Sequence, residues 1–562
     1  MAAARYVMNK NGQDGQLAKL RRQMDALLPA LVTVGLLYAA YFVWRYGGLW
    51  TENDSAVFAK VIQETIHARS VLFPGQYSHG FGYPDWVSVL ALSTGIPVPI
   101  LSAYVMPFLG VILMVIGTYP AFSALTGRRG VGALGVLLVL AVPEVMFTVL
   151  RGNHEKMNVF LMSGALYALL NVVRSPATRQ LALWIGVFCL CAFLNVAAND
   201  YFGVSFAAAC TLMTAIAYTL HRRSRASTDL KTARRTVFAR LVILTLCAWI
   251  IAGWVMVVLF PSSLYDLSLL AQALAQLRRL VLFLHTSSNP YAGLLEQWAN
   301  PVVAHLMAMF RWVILGGSAA FWSSQVWAVI VRRRTLSVRN MVLLGLYTAF
   351  SLLVAVAIPI DFTGLSAGSN LEVRDYTYFA LFAAPLLARG MARLVRRRRP
   401  RAGPRVDRAQ AAGSWDKTGQ VRSRAVGTAL LLLIGWGLLK TTLDPVVSNN
   451  WIFYTESELQ AIQTFYQRSR HQLLWTGPDN RLVFVGETWE PLGAHGNHVE
   501  GYAAAAGTDD YLVSPAIQAA VRIAGVLAPG PVSGGAGGGG DRIYDDGAAQ
   551  IYRPEPGSAF AP

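Results

Sequence analysis

The chain has 562 residues, of which 54% are hydrophobic and only 14% charged, with a formal net charge of +18. A soluble domain carries roughly 25% charged residues, so this chain lacks the polar surface to stand in water alone, and lipid must cover part of it. The positive charge falls in short clusters between apolar runs, such as Arg332-Arg333-Arg334 and Arg396 to Arg399. That is the pattern of cytoplasmic loops, and no nucleic acid is expected as a partner.

A basic stretch, residues 1–25, comes first. Apolar runs long enough to cross a bilayer follow at 27–44, 97–119, 131–150, 157–173, 181–198, 203–220, 237–260, 302–331, 341–360, 376–394 and 425–443. This predicts an α-helical polytopic membrane protein of about eleven spans. The first run lacks a small-residue cleavage site and is expected to stay as an anchor. The four cysteines, Cys189, Cys191, Cys210 and Cys247, all fall inside runs and read as small hydrophobes, not as a disulfide framework.

Threading the runs with the amino end inside makes alternate loops basic, from Lys19, Arg21 and Arg22 through Arg128 and Arg129 to the stretch from Arg396 to Arg424. Most acids fall on the other side. The expected location is therefore the plasma membrane, multi-pass, with the amino terminus cytoplasmic. Residues 26–443 form the membrane module, with external loops at 46–96, 151–156, 261–301 and 361–375.

In loop 46–96, Val57, Phe58, Val61, Ile62, Thr65 and Ile66 share one helical face, which predicts an amphipathic helix lying flat at the interface. Residues 444–562 change character and predict a small extracytoplasmic α/β domain. Thr455 and Glu458 form a capping-box pattern before a helix through Tyr466. Leu482-Val483-Phe484-Val485 reads as a strand, 534–540 as a Gly-rich linker, and Arg542 to Arg553 as a hairpin around Asp546-Gly547.

Four external clusters carry the chemistry. Glu52-Asn53-Asp54 offers a general base or divalent-cation ligands, while Asp54 also suits the N-cap of a helix starting at Ser55. Tyr77 to Pro84, with His79 and Tyr83, makes an aromatic, turn-rich loop suited to sugar rings or to an interfacial belt. Glu144 near a span end, followed by Arg151, Asn153, His154 and Glu155, combines a phosphate-matching guanidinium with a proton-moving or metal-binding pair. A Glu144–Arg151 ion pair is the simpler account. Arg374, flanked by Glu372 and Asp375, is an anion ligand or an interfacial salt bridge, and Arg279 beside Arg278 is a weaker anion candidate. Shared sidedness suggests a reaction between an amphiphilic phosphate donor and a hydroxyl acceptor.

Glu52-Asn53-Asp54 after the first span, the flat helix behind it, and the stretch from Pro143 through Arg151 to Glu155 resemble the GT-C superfamily of membrane glycosyltransferases. Protein O-mannosyltransferase and aminoarabinose-transferase relatives look most similar. The ending Tyr544 to Arg553 looks like the tails of some bacterial relatives. The resemblance implies a polyprenyl-phosphate-linked sugar donor, a base at Asp54 with Glu52 beside it, and a donor-phosphate arginine at Arg374 or Arg151. It implies transfer with inversion to a protein, glycan or lipid hydroxyl. Glu155 and His154 would position the acceptor or a metal. The chain has Glu-x-Asp where the mannosyltransferases have adjacent Asp-Glu, so a divalent metal (Mg or Mn) on Glu52, Asp54 and His154 stays open. A lipid-linked glycan flippase and an O-antigen-ligase-like transferase are the alternatives.

Overall fold

A computed structural model describes residues 27–46, 53–72, 79–175, 178–223, 228–261, 301–331, 336–362, 371–396, parts of 425–437, 455–476, 497–500, most of 509–518, and 540–554. The predicted strand at 482–485, the segment 261–301 beyond its ends, and residues 534–539 of the linker lie outside the described residues.

The membrane module is a bundle of helices: α1 (Leu27–Tyr46), α2 (Asn53–Ala68), α3 (Gly82–Thr94), α4 (Val98–Thr126), α5 (Arg129–Leu140), α6 (Pro143–Leu150), α7 (Glu155–Arg174), α8 (Thr178–Ala198), α9 (Asp200–Arg223), α10 (Thr228–Trp254), α11 (Pro301–Ile330), α12 (Val338–Phe362) and α13 (Leu371–Arg396). Among the described residues, eight helices are long and apolar enough to cross a membrane, or nine if the bent α5–α6 pair counts as one span. This makes the chain a multi-pass membrane protein. Helices dominate because every backbone N–H and C=O in lipid must be satisfied within its own segment.

Large apolar side chains face outward on these helices, including Trp44, Leu37, Ile250 and Val257. Such exposure is costly in water and ordinary against acyl chains. Inside, Val111, Met114, Phe122, Val136, Leu169, Phe206, Leu346 and Phe382 form a continuous core.

Run 131–150, expected as one span, is two helices meeting at 78°. Pro143 opens α6, and Val142 before it is extended. A proline has no N–H to continue the ladder and drives the preceding residue out of the helical region. All eight residues of α6 are buried, so α6 turns back into protein, where broken backbone is tolerated at membrane depth. That redirects the following residues, 151–154, into the bundle.

Helix α2 uses the predicted apolar face. Phe58, Ala59 and Ile62 are buried, but against Tyr83 and Val87 of α3 and Val98, Leu101 and Met106 of α4. The flat-lying helix thus has a protein partner on its apolar side. It begins at Asn53, so Asp54 stands inside its first turn and not before it.

The carboxyl-terminal domain is mixed α/β as expected. Helix α14 (Glu456–Arg468) opens with the full capping box: Thr455 accepts from the Glu458 N–H, and Glu458 accepts from the Thr455 N–H. Strands β1 (Leu473–Trp475), β2 (His498–Glu500), β3 (Asp510–Val513), β4 (Gly540–Asp545) and β5 (Gln550–Pro554) form one sheet in the order β2-β1-β3-β5-β4. β1 runs parallel to β2 and β3, and β5 antiparallel to β3 and β4. Leu459, Ile462 and Phe465 of α14 pack on Leu474, Trp475, Leu512 and Ile551. In the hairpin turn, Gly547 takes φ +88°, and Asp546 Oδ1 accepts from the Ala548 and Ala549 N–H groups.

Candidate active site

The candidate site is built on the connection between α6 and α7. Arg151 leaves α6 in an extended conformation, and four residues on, Glu155 begins α7. Arg151 Nη2 donates to Glu155 Oε2 at 2.8 Å, and Asn153 Nδ2 donates to the same oxygen at 3.2 Å. From the first turn of α13, Arg374 Nε approaches the other oxygen, Oε1, at 3.9 Å. One carboxylate is thus bracketed by two guanidiniums from separate helices. The side chains of Arg151 and Glu155 are 2% and 4% exposed, and that of Arg374 is 15% exposed. A buried charge is tolerated only when paired and hydrogen-bonded, and this triplet meets that demand from both sides.

Sequence reasoning weighed Glu144–Arg151 and Arg374 with Glu372 or Asp375 as ion pairs. Both Arg151 and Arg374 meet Glu155, and the Glu372 side chain lies outside the described residues. The reason is the connection itself: residues 151–154 leave the helix and fold back, so Glu155 at the start of α7 returns to the Arg151 guanidinium. The Arg151 guanidinium also lies over the Phe147 ring, 5.1 Å from its centroid.

Two fastenings hold the connection. The Gly152 N–H donates to the Ser55 hydroxyl at 2.9 Å, joining it to α2. The ammonium of Lys156, fully buried, donates to the Arg151 carbonyl and sits 6.0 Å from the Tyr83 ring centroid. Asp54, the residue before Ser55, therefore enters at the edge of this cluster. Its side chain, and Glu52 and Arg279 entirely, lie outside the described residues.

His154 is enclosed. Its ring stands edge-on to Phe58 at 4.7 Å and near Phe202 at 6.5 Å, and its Nε2 meets the Asn199 side-chain amide. Burial pushes its pKa well below the ordinary imidazole value. Glu155 opposes that shift, and Arg374, His79 and Arg151 reinforce it. The ring is therefore neutral and serves as a hydrogen-bonding partner. His79 contributes its backbone carbonyl, which accepts from the Asp200 N–H at 3.1 Å. Gly80 beside it has φ +146°, and a Cβ there would strike the Ala198 carbonyl. Tyr83, read from sequence as a sugar-facing ring, is wholly buried edge-on to Phe58 at 5.3 Å. It acts as a packing residue.

Sequence reasoning missed the amide string behind the site. Asn158 Nδ2 donates to Asn195 Oδ1 at 2.7 Å and to its carbonyl at 2.9 Å. Asn199 accepts from the Phe202 N–H at 3.2 Å while its amide meets His154. Tyr201 hydrogen-bonds Asp375, and the Tyr378 ring lies 4.3 Å from Phe202. The available signal was polar residues placed inside otherwise apolar runs, which are functional candidates by default.

A divalent cation was the open question. Among the described residues no three His, Cys, Asp or Glu side chains converge on a point. Glu155 gives its oxygens to Arg151, Asn153 and Arg374, and His154 gives Nε2 to Asn199. Of the predicted set Glu52, Asp54 and His154, the structure describes the His154 side chain alone, and its Nε2 meets the Asn199 amide.

No family model and no curated protein sequence matches the chain. Several solved structures do. The archaeal oligosaccharyltransferase AglB from Archaeoglobus fulgidus, in complex with an inhibitory peptide and a dolichol-phosphate, aligns at 14% identity with a TM-score of 0.48 over 82% of this chain and 63% of that one. ArnT from Cupriavidus metallidurans, bound to undecaprenyl phosphate, aligns at 12% identity with a TM-score of 0.48 over 92% of this chain and 97% of that one. The arabinofuranosyltransferase AftD from Mycobacteria aligns at 13% identity with a TM-score of 0.42 over 94% of this chain and 39% of that one. The chain thus spans less than two thirds of the oligosaccharyltransferase.

Proposed function

We propose that this protein transfers a sugar from a polyprenyl-phosphate-linked donor to a hydroxyl acceptor at the extracytoplasmic membrane face. The observation that carries the reading is Glu155 bracketed by Arg151 and Arg374, on a connection fastened to Ser55 next to Asp54. A membrane-dissolved phosphate donor calls for guanidinium groups at the bilayer surface. The attacking hydroxyl calls for a carboxylate beside them.

Asp54 accepts the proton of the acceptor hydroxyl. The acceptor oxygen bonds to the anomeric carbon while the bond from that carbon to the phosphate oxygen breaks. The lipid phosphate leaves with the electron pair, and the configuration inverts. This is the geometry of an inverting glycosidase with the acceptor in place of water. Arg374, the more exposed guanidinium, meets the phosphate directly. Arg151 is enclosed and acts through Glu155, which holds both arginines in place. Preorganised cations in a dry site stabilise developing charge most strongly. No step requires a metal.

The test is incubation of purified protein with candidate polyprenyl-phosphate sugars, with and without chelator, reading released lipid phosphate. Release that requires an acceptor and vanishes in Asp54→Asn is the expected result. Near-normal turnover in that variant rejects the base assignment. An energised movement of lipid-linked glycan without release would favour a flippase.

A further inference from the structure

A second cluster of arginines gathers at the opposite end of the bundle from Glu155. Arg174 closes α7, 19 residues after Glu155, which is about 28 Å along a helix. Its Nη2 donates to the Ala124 carbonyl in the last turn of α4 at 2.7 Å. One turn on, Gly127 caps α4 with φ +75°, and the guanidinium of Arg339 occupies the space that a Cβ there would fill. Arg128 follows Gly127 and is exposed. Asn340, next to Arg339, accepts a hydrogen bond from Arg389 of α13. Arg393, one turn further along α13, lies over the Phe321 ring at 5.3 Å. Five arginines from three helices and one interhelical turn thus meet at one membrane edge.

Short basic loops alone do not explain this. Arg339 and Arg389 are half-buried, Arg389 held by Asn340 of α12 and Arg339 folded against Gly127 at the end of α4, where a loop charge would extend into solvent. Arg240 provides the contrast: its Nη1 caps α7 by donating to the carbonyls of Val172 at 2.9 Å and Ser175 at 2.8 Å, so its place is accounted for by the helix end. Among the described residues no ion pair joins Arg128, Arg174, Arg339 or Arg389 to a carboxylate. Like charges assembled at a low-dielectric edge repel, and an anion between them offsets the cost.

We propose that Arg128, Arg174, Arg339, Arg389 and Arg393 form a binding site for the phosphate of an anionic phospholipid headgroup, on the membrane face opposite the candidate active site. The depth suits a headgroup, because the cluster sits where the apolar helices end. Guanidinium forks match phosphate oxygens in pairs, and basic pockets between helix ends are a recognised arrangement for such lipids. The inference does not depend on the reaction assigned to Glu155 and Arg374.

The experiment is native mass spectrometry of the full-length protein with added phosphatidylglycerol or phosphatidylcholine, with thermal unfolding in the same lipids and in inorganic phosphate. The expected result is retention of phosphatidylglycerol over phosphatidylcholine and a rise in Tm with phosphatidylglycerol alone. R339Q/R389Q weakens that retention about 30-fold, from the removal of two surface cations. An equal rise with inorganic phosphate assigns the site to a soluble anion and overturns the lipid reading. If the variant does not fold, wild-type protein decides alone: no preference for the anionic headgroup overturns the proposal. Equal retention in wild type and R339Q/R389Q overturns it as well.

Discussion

Two buried acids show how the membrane module and the carboxyl-terminal domain handle charge differently. In the sheet, Asp510 is buried and Arg553 grips both its oxygens, Nε to Oδ1 at 2.9 Å and Nη2 to Oδ2 at 3.1 Å. One fork meets one carboxylate, and the arginine side chain remains 44% exposed. In the membrane module, Glu155 divides its oxygens between two guanidiniums from different helices, one at 2.8 Å and one at 3.9 Å. The first arrangement closes on itself and fastens β5 to β3. The second leaves a long, loose arm in Arg374 that a stronger anion can draw away.

The sharpest test of that difference is the base itself. Asp54→Asn should lower turnover by about 10²–10⁴, with insertion and donor binding retained, as measured by lipid-phosphate release and donor retention on the purified protein. Next comes Arg374→Gln, expected to cost about 10²–10³ in kcat/KM, with Arg374→Lys recovering only part because the planar fork is lost. Glu155→Gln leaves two guanidiniums facing a neutral amide. It should destabilise the module by about 3–5 kcal/mol, seen as a lowered Tm in detergent, and it should reduce turnover as well. If Glu155→Gln and Arg553→Ala cost the same stability, the two pairs are equivalent clasps and the contrast fails. Arg553→Ala strips the fork from buried Asp510 but opens it to water through the space of a half-exposed side chain, so its expected cost is smaller, about 1–3 kcal/mol.

The last prediction concerns Asp85 in the first turn of α3. Burial raises its pKa to about 7, above its unfolded value. The folded chain therefore holds a proton that the unfolded chain has lost, and stability declines as pH rises from about 4 to about 7. Asp85→Asn should flatten Tm over that window. An unchanged slope in the variant would remove Asp85 as its source.

Much of this was legible because the strongest sequence signals are physical necessities. Apolar run length located the helices, Thr455 and Glu458 announced the start of α14, and Asp546-Gly547 announced the hairpin. Arg151, His154, Glu155 and Arg374 could be singled out as polar residues at span ends. What sequence could not give was partner choice. Glu144, Glu372 and Asp375 were equally plausible mates for the two arginines, and only the 78° turn at Val142-Pro143 brings Glu155 between them. The same turn explains why one expected span became two helices. Sequence alone did not separate the roles open to Tyr83 either: an aromatic before a span reads the same whether it faces sugar, lipid or Phe58.

The bond between the Gly152 N–H and the Ser55 hydroxyl joins positions 97 residues apart. At synthesis rates of about 5–20 residues per second, its two halves emerge about 5–20 s apart. During that wait α3 and α4 emerge and cover Phe58 and Ile62, while the Ser55 hydroxyl still lacks the 151–154 connection. The cluster around Glu155 is therefore completed in stages, the 151–154 connection first and Arg374 of α13 much later, and a chain stalled before residue 152 would carry Glu52 and Asp54 without either arginine.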